Sequence, residues 1–197
     1  EGLSINNVTV TSTMKNVGTI VGTNTGTIKG IKLRNINVTS TGPAQEINIG
    51  GIAGYTTNAG TVREVDVQGV ITARTDTNTA YNTGGIEGRT EGSVTGSVFK
   101  GSVTGYAYVA GIVGWRNGGT ISGVVYDTTI TAPGSNGMLT GSGSATGYNY
   151  NVTRSTNNGN GTQGTTLPRI TLEGIDGAID TYIGGDNNED HYYIDYD

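Results

Sequence analysis

A five-residue signature recurs down the chain and limits its fold more than any other feature. It reads Gly18-Thr19-Ile20-Val21-Gly22, Gly50-Gly51-Ile52-Ala53-Gly54, Gly84-Gly85-Ile86-Glu87-Gly88 and Ala110-Gly111-Ile112-Val113-Gly114, with a weaker copy at Gly137-Met138-Leu139-Thr140-Gly141. The central residues Ile20, Ile52, Ile86, Ile112 and Leu139 are 32, 34, 26 and 27 residues apart. Self-similarity at such a period marks a stacked array in which each repeat buries its apolar stripe against its neighbours.

A second block follows each signature. It opens at Gly26-Thr27-Ile28, Gly60-Thr61-Val62, Gly92-Ser93-Val94 and Gly119-Thr120-Ile121. It runs through Ile31/Leu33, Val65/Val67, Ser97/Phe99 and Val124/Tyr126, and closes at Val38-Thr39, Ile71-Thr72, Val103-Thr104 and Ile130-Thr131. Alternation with period two and β-branched residues reads as strand, and the Gly, Asn and Thr between them form turns. No stretch carries a helical period with caps. The expectation is an all-β parallel β-helix of four to five coils, about three short strands per coil. A C-terminal hairpin serves as cap or donor element. At ~4.8 Å per coil the rod is ~20–25 Å long.

Composition then acts as a filter. Only 33% of the 197 residues are hydrophobic and 35 are Gly, which reads as disorder unless the apolar residues repeat, as they do here. The net charge of −5, without a basic block, argues against nucleic acid. No apolar run is long enough to span a membrane. The absence of cysteine removes thiol catalysis, disulfides and Cys-based metal sites. Richness in Gly, Thr, Asn and Tyr with few Lys is typical of secreted or cell-surface proteins, so an extracellular location is expected. Asn7, Asn37, Asn151 and Asn160 head N-x-Thr sequons and are candidate glycosylation sites.

The chain divides into a half-coil or cap strand (1–15), the repeats (16–131), a degenerate coil with Gly/Asn/Thr-rich loops (132–168), and a strand or hairpin element (169–197). In the first part, Leu3, Ile5, Val8, Val10 and Thr11 match the second half of a coil whose signature is missing. A cap strand, more protein upstream, or a neighbouring subunit would each complete it. Length variation falls on one corner, in the connections from Ser40 to Asn48, Ala73 to Thr83 and Gly105 to Val109. In the tail, Ile170, Leu172, Ile175, Ile179 and Ile183 give short strands, Gly184-Gly185-Asp186-Asn187-Asn188 turns the chain, and Tyr192, Ile194 and Tyr196 alternate on the return. Open edges of a parallel sheet invite strand addition, so self-association through both ends is expected.

Gly-Gly-Ile-x-Gly coupled to an Asn/Gly-rich turn and Gly-Thr-Ile-x-x-Val resembles the GLUG-type repeat of large bacterial surface proteins, including adhesins and non-catalytic regions of IgA-specific metallopeptidases. The resemblance covers about Val17 to Thr131. It implies a surface location and a repeat role, and it carries over no catalytic residue.

Few constellations could carry chemistry. His191 is the sole histidine, so neither a triad nor a zinc site can be assembled around it. Carboxylate-pair hydrolysis of a polysaccharide needs acids converging on one face. Asp66 aligns with Lys32 and Val125, however, and Glu87 with Val21, Ala53 and Val113, so the acids form no ladder. Asp186, Asn188, Asp190 and Asp197 have the oxygen-ligand spacing of a calcium loop, although His191 stands where such a loop wants Gly. Tyr55, Arg89 and Trp115 follow successive signature glycines and, facing outward, stack Arg between two aromatic rings. That strip is a candidate surface for host or matrix glycans or proteins, or else a self-satisfied ladder. Thr39, Thr72, Thr104 and Thr131 form another column. Ice binding would need a second column, which Arg74 and Tyr106 interrupt two residues further on. The residues together point to a non-catalytic, extracellular structural protein, a self-assembling fibre subunit or adhesin segment, with a glycan-binding module as the alternative.

Overall fold

In a computed structural model of the chain, residues 2–42, 46–75 and 81–133 are described in full. Beyond them the backbone of the strands Asn136–Gly137, Thr140–Ser142, Asn149–Asn151, Thr165–Thr166, Asp180–Asp186 and Glu189–Asp195 is described. The described chain is all-β. Its parallel strands stack into four sheets, here called A to D, in the manner of a parallel β-helix.

The first full coil runs through Asn16–Gly18 in sheet B, Val21–Asn24 in sheet C, Thr27–Lys29 in sheet D and Ile31–Ser40 in sheet A. The second uses Ile47–Gly50, Ala53–Thr56, Thr61–Arg63 and Asp66–Thr72. The third uses Tyr81–Gly84, Glu87–Thr90, Ser93–Thr95 and Val98–Thr104, and the fourth Val109–Ala110, Val113–Arg116, Thr120–Ser122 and Val124–Thr131. Each coil therefore has four strands rather than three.

The extra strand comes from a bend inside the signature, at Gly51-Ile52 and its equivalents, which separates sheet B from sheet C. The ladder is not broken there, because Ile52 N–H donates to Ile86 O at 2.9 Å and Ile86 N–H to Ile112 O at 3.0 Å. The corner thus lies at Gly111-Ile112, and Gly114 belongs to the strand that follows. What Gly114 supplies is close approach. A Cβ there would lie 2.3 Å from Thr83 N, and one on Gly88 would lie 2.3 Å from Ile49 N. Sheet C packs its glycine column directly on the backbone of sheet B, and any side chain would force the two apart.

The corner between sheets D and A turns on one residue in the left-handed region. Gly30 has φ 64°, Gly96 52° and Gly123 61°. In the second coil the position is Glu64, at φ 53°. Its carboxylate is held by Lys29 at 3.2 Å and by Arg63.

The core is a set of columns. Ile52, Ile86 and Ile112 form one, Val62, Val94 and Ile121 a second, and Leu33, Val67, Phe99 and Tyr126 a third, all without solvent exposure. Full burial of such a side chain stabilises by roughly 1.5–3 kcal/mol. Alignment of the repeats by sequence gives the observed register: Asp66 pairs with Lys32, and Glu87 with Ala53 and Val113.

Leu3–Asn6 and Thr9–Ser12 both pair with Ile31–Ser40 in parallel, so the expected half-coil is a sheet A strand. At the other end, the fifth signature continues sheets B and C, through Asn136–Gly137 against Val109–Ala110 and Thr140–Ser142 against Val113–Arg116. Asn149–Asn151 then extends sheet A, while Tyr148 and Val152 lie outside the described residues.

The expected tail hairpin forms as an antiparallel pair from Asp180–Asp186 to Glu189–Asp195. Gly184 and Gly185 sit in the strand, opposite His191 and Asp190, rather than in the turn. Ile170, Leu172, Ile175, Ile179 and Tyr196 lie outside the described residues.

Candidate functional site

The outward column of sheet C is the most developed surface feature. Register places Thr23, Tyr55, Arg89, Trp115 and Ser142 side by side on successive coils. The Arg89 guanidinium carbon lies 5.2 Å from the centre of the Tyr55 ring and 4.6 Å from that of Trp115. Both distances fall within cation–π range. The sandwich expected from the sequence is present in the structure.

Two acids that the repeat alignment does not single out complete it. Arg89 Nη1 donates to Glu46 Oε1 at 2.6 Å, and Nη2 to Glu91 Oε1 at 2.6 Å. Lys15 reaches the other Glu46 oxygen at 3.3 Å, and Asn117 Nδ2 donates to Glu91 at 3.1 Å. Burial pushes the Glu46 carboxyl up, but the bonds from Arg89 and Lys15 outweigh it and the group titrates below the usual range. Hydrogen bonds from Tyr55, Asn117 and Arg89 hold Glu91 below that range as well. Burial and the bond to Glu91 push the Tyr55 hydroxyl up. Arg89 thus has both faces on rings and both terminal nitrogens on carboxylates. Little of its charge is left to offer a ligand.

An asparagine ladder runs along sheet B beside this column. Asn82 Nδ2 donates to Asn48 Oδ1 at 2.6 Å, Asn48 to Asn16 at 2.7 Å, and Asn16 to Thr23 Oγ1 at 2.8 Å. In the fourth coil the ladder position is Tyr108, which carries a φ of 51° and stacks on Trp115 at 6.2 Å between ring centres. Asn82 Oδ1, fully buried, accepts no bond from the described residues. The two half-buried rings are the part of the strip not absorbed by ion pairing.

The acids considered for catalysis sit apart. Asp66 is in sheet A and ion-paired with Arg34. Glu87 is in sheet C, fully buried where the neighbouring coils have Ala53 and Val113. Thr56 Oγ1 donates to Glu87 Oε1 at 2.8 Å, and Oε2 has no partner among the described residues. Burial pushes its carboxyl up to about 8, so it is protonated at neutral pH.

For the calcium spacing, Asp186 ends one strand opposite Glu189, and Asp190 lies opposite Gly185. Asn188 and Asp197 lie outside the described residues. Among the described residues no group of three or more His, Asp or Glu could hold a metal ion.

The threonine column gains a member, Thr11, and runs Thr11, Thr39, Thr72, Thr104, Thr131 in register. Its neighbour on the same face is Thr9, Asn37, Val70, Ser102 and Thr129, not the positions of Arg74 and Tyr106. Alternation along the strand puts residues two apart on one face in either direction. The sequons at Asn7 and Asn37 both present exposed asparagines on sheet A, whereas Asn160 lies outside the described residues and nothing is described of the Asn151 side chain.

A shallow trough of about 540 Å³ crosses sheet A over the bare backbone of Gly69 and Gly101. Arg34 and Lys100 line it, the first paired with Asp66 and the second 3.7 Å from Asp127. No family model, no curated protein and no solved structure matches this chain.

Proposed function

We propose that the chain is a non-catalytic structural segment of an extracellular surface protein, a fibre subunit or adhesin segment that associates with its own kind through open sheet edges. One observation carries this reading. At the N-terminal end of the array, sheet A continues through Leu3–Ser12, while sheets B, C and D end at Asn16–Gly18, Val21–Asn24 and Thr27–Lys29. Among the described residues those three strands are bonded on one side only, and Ile20 and Ile28 are part-exposed where their column mates are fully buried. An unpaired parallel edge above unfinished apolar columns is a template for more strand. The GLUG-like repeat and the Gly/Thr/Asn-rich composition support a surface setting. Electron microscopy and sedimentation velocity over a wide concentration range test it: oligomers or filaments are expected, and a monomer under every condition overturns it.

The stacked rings of Tyr108 and Trp115 favour a second reading, in which the strip binds glycans. Stacking of a sugar on an aromatic face needs no free charge, so the ion pairing of both Arg89 terminal nitrogens does not weigh against it. Tyr55→Ala combined with Trp115→Ala should abolish binding on a glycan array, and unchanged binding eliminates the strip.

A further inference from the structure

We propose that the trough on sheet A binds a linear, neutral, β-1,4-linked polysaccharide lying across the strands, from coil to coil. The site is separate from the strip on sheet C, and the proposal does not depend on the self-association reading.

The first argument is shape. Strand alternation sends Gln68 and Lys100 outward in one column and Val70, Ser102 and Thr129 outward in the next, with Gly69 and Gly101 between them. The two columns wall the trough and the glycine backbone is its floor. A Cβ on Gly69 would strike Ile36 O and one on Gly101 would strike Gly69 O, so the floor stays bare. A bulge lies at the first-coil end, where Arg34 and Asn35 stand against Gln68 alone and Asn35 takes a φ of 53°. Bulges and left-handed residues other than glycine gather beside functional sites. The trough crosses four coils, ~14 Å at the spacing between strands. Its volume of about 540 Å³ lies within the roughly 300–1,000 Å³ of ligand sites.

The second argument is what the walls offer. The side chains of Gln68, Ser102 and Thr129 bond to no other described residue. Asn35 gives one N–H to Asn7 and keeps its own side-chain oxygen free. Amides and hydroxyls both donate and accept, as sugar hydroxyls require of a partner. Val70, 42% exposed, and the bare floor supply an apolar bed for the C–H face of a ring. The period also suits a glycan. One strand spacing, ~4.8 Å, is close to the advance per ring of a β-1,4-linked chain, so successive rings meet successive coils.

The third argument separates this ligand from others. Arg34 is paired with Asp66, and Lys100 lies 3.7 Å from Asp127. Each cation in the walls is answered by an acid, which favours a neutral polymer over an acidic one. An extended peptide gains nothing here, because the strands beneath are paired on both sides and offer no open ladder.

Native affinity electrophoresis of the full-length protein tests the proposal, in gels containing a soluble β-1,4-glucan, a β-1,4-mannan or polygalacturonate. At least one neutral polymer should retard the protein, polygalacturonate should not, and the retardation should be the same at low and high salt. The triple exchange Gln68→Ala, Ser102→Ala, Thr129→Ala alters no fully buried side chain and should weaken binding at least tenfold. Ser102→Tyr, which fills the trough, should abolish it, with unchanged thermal midpoints showing that both proteins are folded. Tyr55→Ala with Trp115→Ala should be retarded like the unmutated protein. Failure of both neutral polymers to bind, or tighter binding of polygalacturonate, overturns the proposal. Trough variants that bind like the unmutated protein also overturn it; if the Tyr55 and Trp115 exchange then removes binding, the strip is the glycan site and that reading stands alone.

Discussion

The first coil and the third are built from the same columns, yet they are finished to different degrees. In the third coil Ile86 and Val94 are fully buried, and the strands Glu87–Thr90 and Ser93–Thr95 are bonded on both sides. In the first coil Ile20 and Ile28 fill the same positions and remain part-exposed, and the strands Val21–Asn24 and Thr27–Lys29 are bonded on one side only among the described residues. The local sequence is not what differs. Stability in a stacked array belongs to the interfaces between coils as much as to the coils, so a terminal coil is completed only by what lies next to it.

Glycine gives the largest test of that contrast. Gly88→Ala puts a Cβ 2.3 Å from Ile49 N, between two sheets that cannot separate. It should destabilise by about 3 kcal/mol or more, or prevent folding, read as soluble yield and thermal midpoint. Gly26→Ala in the first coil meets nothing within 4 Å and should change stability by less than about 0.5 kcal/mol. Equal effects would mean that the coils are not packed as described.

The isoleucine column sharpens the comparison. Ile86→Ala leaves a cavity in the closed interior and should cost about 2–5 kcal/mol in chemical denaturation. Ile20→Ala removes a side chain already partly in water and should cost no more than half as much under dilute conditions.

Glu87 gives a pH-dependent contrast within the column shared with Ala53 and Val113. Its folded carboxyl titrates near 8, above the ordinary value of 4.5, because burial disfavours the charge. The folded state therefore holds a proton that the unfolded state has lost. Stability from this group is complete below about pH 4.5, falls as pH rises toward 8, and is lost above it. The thermal midpoint of the unmutated protein should drop across that window, and that of Glu87→Gln should be flatter and higher at pH 8. Parallel curves would contradict the burial of an uncharged acid.

The smallest effect concerns a corner. Glu64 occupies a left-handed position that Gly30, Gly96 and Gly123 fill in the other coils. Glu64→Gly removes backbone strain of about 1–2 kcal/mol and gives up ion pairs to partly exposed Lys29 and Arg63 worth less. A gain of up to about 1 kcal/mol, seen as a thermal midpoint raised by a few degrees, is expected.

Register was legible from the repeats, because residues at one repeat position must pair across coils, except at the bulge that sets Arg34 and Asn35 against Gln68 alone. Asp66 with Lys32, the threonine column and the Arg89 sandwich all follow from it. The number of strands per coil was not, since a bend within Gly-Gly-Ile is silent in a pattern of alternation. The asparagine ladder was within reach: Asn16, Asn48 and Asn82 precede the signatures by a constant two residues. Glu91 was within reach too, because it follows Arg89 by two residues; Glu46 was not, because it lies 43 residues away in another connection and meets Arg89 only in three dimensions.

The most direct test of the unfinished end is hydrogen exchange at the amides of Leu3–Ser12 and Asn16–Lys29, measured against protein concentration with Val94 and Ile121 as internal references. Protection of the end strands should rise with concentration while the interior amides stay unchanged. Protection of the end strands that is independent of concentration would contradict it.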